Sequence, residues 1–433
     1  MNDAGRHPAG RAGGGAMHRP RRRPFLSCVG RLGLAGCLLL FTGLIRAGIA
    51  DAPGTALEVS LITYGPGETY WERFGHDAIE LRDRMSGEAV NFNYGVFDFD
   101  ESGFLLNFAR GRMTYRMDAV PSDEDIAYYR DEGRSVLRQR LALDAAQAAG
   151  LRDFLLWNLR PENARYAYDY FTDNCTTRVR DALDRALGGA LHRALAARPG
   201  GPTYRQQTDR LMRAQPALML LLDLGLGPYA DRPLDAWQAS FLPQVLAEQL
   251  RAIALPGPSG APMALVRAET SLAAGRIAAA DEPPDLRPPL ALAGLALAAL
   301  LLLARRRWPT GFAVLATLYL LAAGIVGVLL LALWTLTAHR AAWANANILL
   351  FSPLALALLA TPWRVRRGLA PTGLAQTALT LQLVAALIAV LLHLLPGPGQ
   401  QNQPWLLFAL PCWLALAWLT RRPAAVAAGG IGE

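Results

Sequence analysis

Asp173-Asn174-Cys175-Thr176-Thr177-Arg178 opens a stretch in which Val179, Leu183 and Leu187 recur every four residues. That spacing lays an apolar stripe along a helix, and the asparagine just before Cys175 is a favoured N-cap type. Cys175 is therefore expected at the first turn, where unsatisfied amides and the positive end of the dipole favour a thiolate. Upstream the texture differs. Residues 58–64, 74–81 and 90–99 are short apolar runs bounded by turn residues and read as strands, with a hairpin turn over 84–88. Residues 123–132 and 144–159 have helical spacing, the second capped by Asp144 and stopped by Pro161. Strands and helices segregated in this way predict an α+β domain.

The rest of the chain places that domain. Of the 433 residues 52% are hydrophobic and 18% charged, too apolar for one soluble enzyme. Five apolar stretches, 288–304, 310–334, 345–361, 374–395 and 405–420, have lengths suited to spanning helices. Arginines cluster at 305–307, at 364–367 and at 421–422, on alternate junctions, so the C-terminus is expected on the cytoplasmic side and residues 52–287 outside. At the other end, four arginines within 19–23 precede an apolar run over 32–45, the pattern of a signal peptide or signal anchor. The expected organisation is 1–52 signal peptide or signal anchor, 53–255 exported catalytic domain, 256–287 linker and 288–433 an all-α five-helix transmembrane module. Residues 216–227, apolar except for Asp223 and too short to span, read as a packing or interfacial segment.

The formal charge of +8 is uneven along the chain. Residues 1–51 carry +6, residues 286–433 carry +9, and the middle carries −7. An acidic domain between basic apolar ends has no phosphate-binding footprint, which sets nucleic acid aside as a partner. The chain has no lysine. Schiff-base, Walker-type and Ser–Lys chemistry are thereby excluded. Without CxxC or HxxxH, and with one exported cysteine, neither a metal nor another cofactor is expected.

Cys28 and Cys37 lie in the targeting segment and Cys412 in the last span, so Cys175 has no disulfide partner within the exported domain. A thiolate nucleophile needs a base, and that domain holds two histidines, His76 and His192. His76 sits beside Gly75 on an expected strand and is the better candidate; His192 lies in an Ala- and Arg-rich stretch read as a solvated helix end. Asn93, Tyr94 or Asp98, on the next strand, are alternative groups to orient the imidazole. The Cys175 amide is the default oxyanion donor, with Asn174 either a second donor or only a cap. Arg178, one turn along, either holds a lipid phosphate or pairs with Asp181 or Asp184. His339, Asn345 and Asn347 stand at the outer mouth of the third span.

Several motifs carry a resemblance. Tyr70-Trp71-Glu72-Arg73-Phe74-Gly75-His76, Asn93-Tyr94-Gly95-Val96-Phe97-Asp98-Phe99, Asn107-Phe108, Pro161-Glu162-Asn163 and Asp173-Asn174-Cys175-Thr176-Thr177-Arg178 resemble the Lnb-type periplasmic domain, in the family's order. The pattern around His339 and Asn345 is also similar to that family. The resemblance implies a circularly permuted papain-like (NlpC-type) domain in which Cys175 and His76 form the catalytic pair, with histidine preceding cysteine. It further implies a thiol acyltransferase of the bacterial inner membrane, multi-pass, its catalytic domain in the periplasm and its partners membrane lipids and lipoproteins. An acyl chain of a diacylated lipoprotein would pass to the lipoprotein's N-terminal amine through a Cys175 thioester. Open alternatives are a phospholipid donor, a cell-wall peptidase or amidase of NlpC type, and a non-enzymatic membrane scaffold or sensor.

Overall fold

The computed structural model describes residues 48–97, 102–256, 260–278, 282–396 and 399–421. Its strands are Leu57–Tyr64 (β1), His76–Asp83 (β2), Ala89–Val96 (β3), Thr114–Pro121 (β4), Val136–Leu141 (β5) and Arg165–Ala167 (β6). Ala254–Pro256 (β7) and Pro262–Ala264 (β8) make a separate ribbon, and Val266–Ala273 (β9) returns to the main sheet. The seven-stranded sheet runs β6-β4-β3-β2-β1-β5-β9, every adjacent pair antiparallel. β1 lies inside the sheet and is almost wholly buried, its polar Ser60 and Thr63 included.

Helices cover both faces. They are Phe104–Ala109 (α1), Ser122–Asp131 (α2), Ala145–Asn158 (α3), Pro161–Ala164 (α4), Cys175–Ala186 (α5), Ala190–Ala196 (α6), Tyr204–Met212 (α7), Pro216–Gly225 (α8), Ala236–Ala239 (α9) and Pro243–Arg251 (α10). α5 lies across β2 and β3 and packs on α3 and α10, which also touch β1. On the other face α2 sets Ile126 and Tyr129 against Ile62, Tyr64, Ala78 and Val136. Asp144 caps α3 through the Gln147 amide.

Two expectations change here. β2 starts at His76, because Tyr70–Phe74 folds as a 3-10 turn, and β3 stops at Val96. Residues 256–287 are not a plain linker: β8 and β9 fall within them, and β9 pairs with β5 along Leu141↔Val266 to Val136↔Ala273. As a largely exposed edge strand, β9 has no apolar alternation to betray it. The expected targeting segment, up to residue 47, lies outside the described residues, whereas Ile49 and Ala52 are buried.

The membrane module comprises Arg287–Arg307 (α11), Pro309–Leu336 (α12), Thr361–Arg366 (α13), Gly373–Leu392 (α14) and Gln403–Arg421 (α15), with a fifth candidate span over Arg340–Leu358. That span, expected as one helix over 345–361, is instead three 3-10 turns, Arg340–Ala342, Ala346–Leu349 and Pro353–Leu358. Irregular backbone survives at membrane depth where protein surrounds it and satisfies its carbonyls. Gln382 Nε2 donates to Leu349 O (2.9 Å) and Trp413 Nε1 to Leu350 O (2.8 Å). Gly327 of α12 lets the link between the second and third turns approach, since a β-carbon there would stand 2.6 Å from Phe351 O.

α8 joins the two halves, matching its reading as a packing segment. Leu220 and Leu224 pack on the membrane core, and Asn345 and Asn347 both donate to Leu224 O (2.9 and 3.0 Å). Trp405 Nε1 donates to Asp223 Oδ2 (2.6 Å), while Arg205 grips Asp223 Oδ1 (2.8 Å) and both oxygens of Asp231 (2.7 and 2.9 Å).

Candidate active site

Asn174 caps α5, its Oδ1 accepting from the Thr177 amide (2.9 Å) while Thr177 Oγ1 accepts from the Asn174 amide (2.8 Å). Cys175 follows as the first helical residue, half-buried. The amide hydrogens of Asn174 are both committed, to Tyr170 O and Phe241 O (3.0 Å each), so this side chain fixes the helix start and has no donor left for a substrate.

His76, at the first position of β2, lies close enough to Cys175 for each to act on the other's charge. Its Nε2 donates to Asn93 Oδ1 (2.9 Å), and Asn93 Nδ2 donates to Asp125 Oδ2 (3.2 Å) at the first turn of α2. The same carboxylate oxygen accepts from Tyr64 (2.6 Å) and Asn91 (2.9 Å). Tyr64 and Tyr129 stack near the imidazole, with ring centres 5.9 and 5.7 Å away. The arrangement is thus thiol, imidazole, amide, carboxylate.

Electrostatics follow from that order. Burial works against a charged imidazole, but the Cys175 thiolate, its hydrogen bond, Asn93 and the Asp125 charge together raise the His76 pKa. Burial likewise opposes a thiolate, yet the charge and hydrogen bond of His76, with help from Thr176, lower the Cys175 pKa. Asp77 pulls the other way; burial pushes its own carboxyl up to about 7, against a hydrogen bond from Thr63. The pair is disposed to exist as thiolate and imidazolium.

The other sequence candidates separate. Tyr94 points away from His76 and donates to Asn158 Oδ1 (2.7 Å), and Asp98 lies outside the described residues. Arg178 pairs with Asp173 (Nη2 to Oδ2, 2.8 Å), not with Asp181 or Asp184, and stacks over Tyr166 (4.3 Å). His192 is exposed and rests on Trp237. Asn345 and Asn347 are buried and hold α8, as described above.

Two features were not singled out from the sequence, although Gly95 and Phe97 stand in one of its motifs. The β3–β4 pairing shifts register between Asn93 and Val96, and Gly95 there has φ +88°. A β-carbon at Gly95 would stand 3.3 Å from Cys175 Cβ and 3.9 Å from the Tyr166 hydroxyl, so glycine keeps a space open beside the thiol. The second feature is a run of aromatic rings. Tyr168, close enough to Cys175 to feel its charge, stacks on Tyr115 (4.2 Å), Tyr115 on Phe97 (5.0 Å), and Phe97 on Phe104 of α1 (5.9 Å). Along a second path Tyr168 meets Tyr170 edge-on (5.9 Å), and Tyr170 stacks on His339 just beyond α12 (5.9 Å). The His339 ring bonds Phe108 O (3.0 Å), and the Ala338 amide bonds Arg110 O (2.8 Å). α1 therefore sits at the outer end of a membrane span, where it buries no side chain and leaves Leu105 and Leu106 exposed by 76% and 53%.

Comparison with known families decides what this architecture is. The Lnb N-terminal periplasmic domain matches residues 47–210, and the Lnb transmembrane domain matches residues 285–420. The chain belongs to the Lnb family. The Lnb periplasmic match covers Cys175, His76, Asn93, Asp125 and the Gly95 space; the Lnb transmembrane match covers His339 and all five candidate spans. A periplasmic domain with five apolar helices makes this Lnb protein a multi-pass membrane protein, and the family supports a membrane-associated, lipoprotein-processing role. No curated protein and no solved structure is measurably similar to the chain. Residues 211–284, which include α8 and β9, fall in neither Lnb match.

Proposed function

We propose that this protein is a thiol acyltransferase of the inner membrane that moves an acyl chain from a glycerolipid ester, that of a diacylated lipoprotein, to the lipoprotein's N-terminal amine. The observation that carries the reading is a thiol placed beside an imidazole, at one end of an aromatic lane whose other end meets a membrane span. Half-buried aromatic faces and the exposed leucines of α1 suit an acyl chain better than a cell-wall peptide, which would need polar contacts along its backbone. A helix-borne cysteine packed against a sheet-borne histidine also supports the papain-like comparison.

The Cys175 thiolate attacks the ester carbonyl, and His76 gives its proton to the departing glycerol oxygen, leaving a thioester. His76, now neutral, takes a proton from the incoming amine, which attacks the thioester and releases the thiolate. Asn93 holds the imidazole through Nε2, so its other nitrogen faces sulfur. Mass spectrometry of lipoprotein N-terminal peptides, from cells lacking their own N-acylating enzyme, tests this directly. N-acyl, single-O-acyl peptides should accumulate with the intact protein and not with Cys175→Ala at equal membrane abundance. Unchanged diacyl peptides from the intact protein would defeat the substrate assignment.

A further inference from the structure

Tyr166 is the middle residue of β6, paired opposite Tyr115 of β4, and only 8% exposed. Its hydroxyl is buried and has no hydrogen-bond partner, an arrangement that costs stability unless the group is kept for something else. The ring is clamped in place: Arg178 lies over one face (4.3 Å), itself tied to Asp173, and Tyr94 meets its edge (6.2 Å). The hydroxyl and the Cys175 β-carbon both border the space that Gly95 leaves open, 3.9 and 3.3 Å from where a β-carbon there would stand. Burial, followed by the charge of Cys175, raises the Tyr166 pKa, so the phenol keeps its proton and remains a donor.

A tetrahedral adduct on Cys175 places a negative oxygen beside the sulfur, and something must donate to it. The Cys175 and Thr176 amides, at the first turn of α5, have no helical carbonyl to bond, whereas the Thr177 amide is held by Asn174 Oδ1 and the Asn174 side chain, the other candidate from sequence, is fully occupied. We propose that the Tyr166 hydroxyl completes the oxyanion hole, together with those amides, in the space beside Gly95. The proposal rests on the thioester chemistry above. When sulfur bonds to the ester carbon, the carbonyl π electrons move onto oxygen, and Tyr166 donates a hydrogen bond without surrendering its proton. Collapse re-forms the carbonyl, breaks the bond to the glycerol oxygen and sends the His76 proton there. The amine's attack on the thioester repeats the cycle, with the thiolate leaving.

Tyr166→Phe in the full-length membrane protein is the test. The turnover number for acyl transfer should fall about 100-fold, with KM within about twofold of wild type. Removing an unpartnered hydroxyl should not lower the melting temperature, and iodoacetamide should alkylate Cys175 as in wild type because that reaction forms no oxyanion. A turnover number within about threefold of wild type overturns the proposal. So does a loss of activity matched by equal losses in alkylation and melting temperature, which marks a structural role. A second measurement uses hexadecyl trifluoromethyl ketone, whose adduct with the thiolate is an alkoxide. Inhibition should weaken at least about tenfold in Tyr166→Phe, and equal inhibition overturns the assignment. The ketone needs no lipoprotein, so a wild type that transfers no acyl chain counts against the proposed substrate while this comparison still decides Tyr166.

Discussion

Replacing Asp125 with Asn perturbs the polar chain behind His76 while keeping its size. Asp125 Oδ2 accepts three hydrogen bonds, from Tyr64 (2.6 Å), Asn91 (2.9 Å) and Asn93 (3.2 Å), and only the last leads to the imidazole. A bond to a charged group contributes roughly 1.5–3 kcal/mol and a neutral one roughly 0.5–1.5 kcal/mol. The exchange therefore weakens the hold on Asn93 by about 1 kcal/mol, which is about fivefold in kcat/KM if the loss falls on the transition state. A second effect has a definite sign. The Asp125 charge is among the groups that raise the His76 pKa, so the variant's His76 titrates lower. The lowered Cys175 pKa and the raised His76 pKa both favour the thiolate–imidazolium form. The high-pH limb of the activity profile should thus move to lower pH and the low-pH limb should stay. Stability follows the same rule: a raised histidine pKa stabilises the fold below the unfolded value, and that contribution is lost as pH rises through the folded value. In Asp125→Asn the loss should come earlier. The assay is kcat/KM across pH with thermal unfolding at matched points, and a variant with wild-type activity and an unmoved high-pH limb would refute the reasoning.

Two further outcomes are expected. Asp77→Asn keeps an acceptor for Thr63 but removes a charge that raises the Cys175 pKa, so thiolate formation should shift to lower pH in iodoacetamide kinetics. The curves should converge below about 7, where Asp77 is protonated in wild type, and coincident curves above that pH would sink the idea. Trp405→Phe removes the indole donor from buried Asp223 and should lower stability by about 1–3 kcal/mol, read as an earlier melt in detergent. An unchanged melt would mean that this bond does not join the two halves.

How legible the site was depended on how local each feature is. Capping is local, so Asn174 and the start of α5 followed from six consecutive residues. The five candidate spans followed from the length of their apolar runs. Asp125 was hidden among Asp123 and Glu124, three acids in one helical turn that read as complements to the dipole; only the docking of α2 on β3 singles it out. Tyr166 lies in a three-residue strand, too short for any periodicity. The third span defeated its own apolarity because its carbonyls are answered by Gln382 and Trp413, from segments about 30 and 60 residues away. Asn345 and Asn347, readable as surface polarity at a span's end, hold the end of α8 through a fold no local pattern reveals.

The bonding of α8 on both sides has a geometric corollary. With Arg205 gripping it from the periplasmic half and Trp405, Asn345 and Asn347 from the membrane half, the domain has no hinge at that seam. If the candidate spans lie in a bilayer, this bonding would hold the sulfur of Cys175 at one altitude over the lipid, with the spans as the datum from which that altitude is set. On the proposed acyl-transfer reading, ester bonds that lie deeper or shallower would meet the wrong plane, and depth itself would become a sieve. Cutting the spans away would remove the reference level as well as the anchor, and would turn Leu220, Leu224 and the Asp223 carboxylate out toward water.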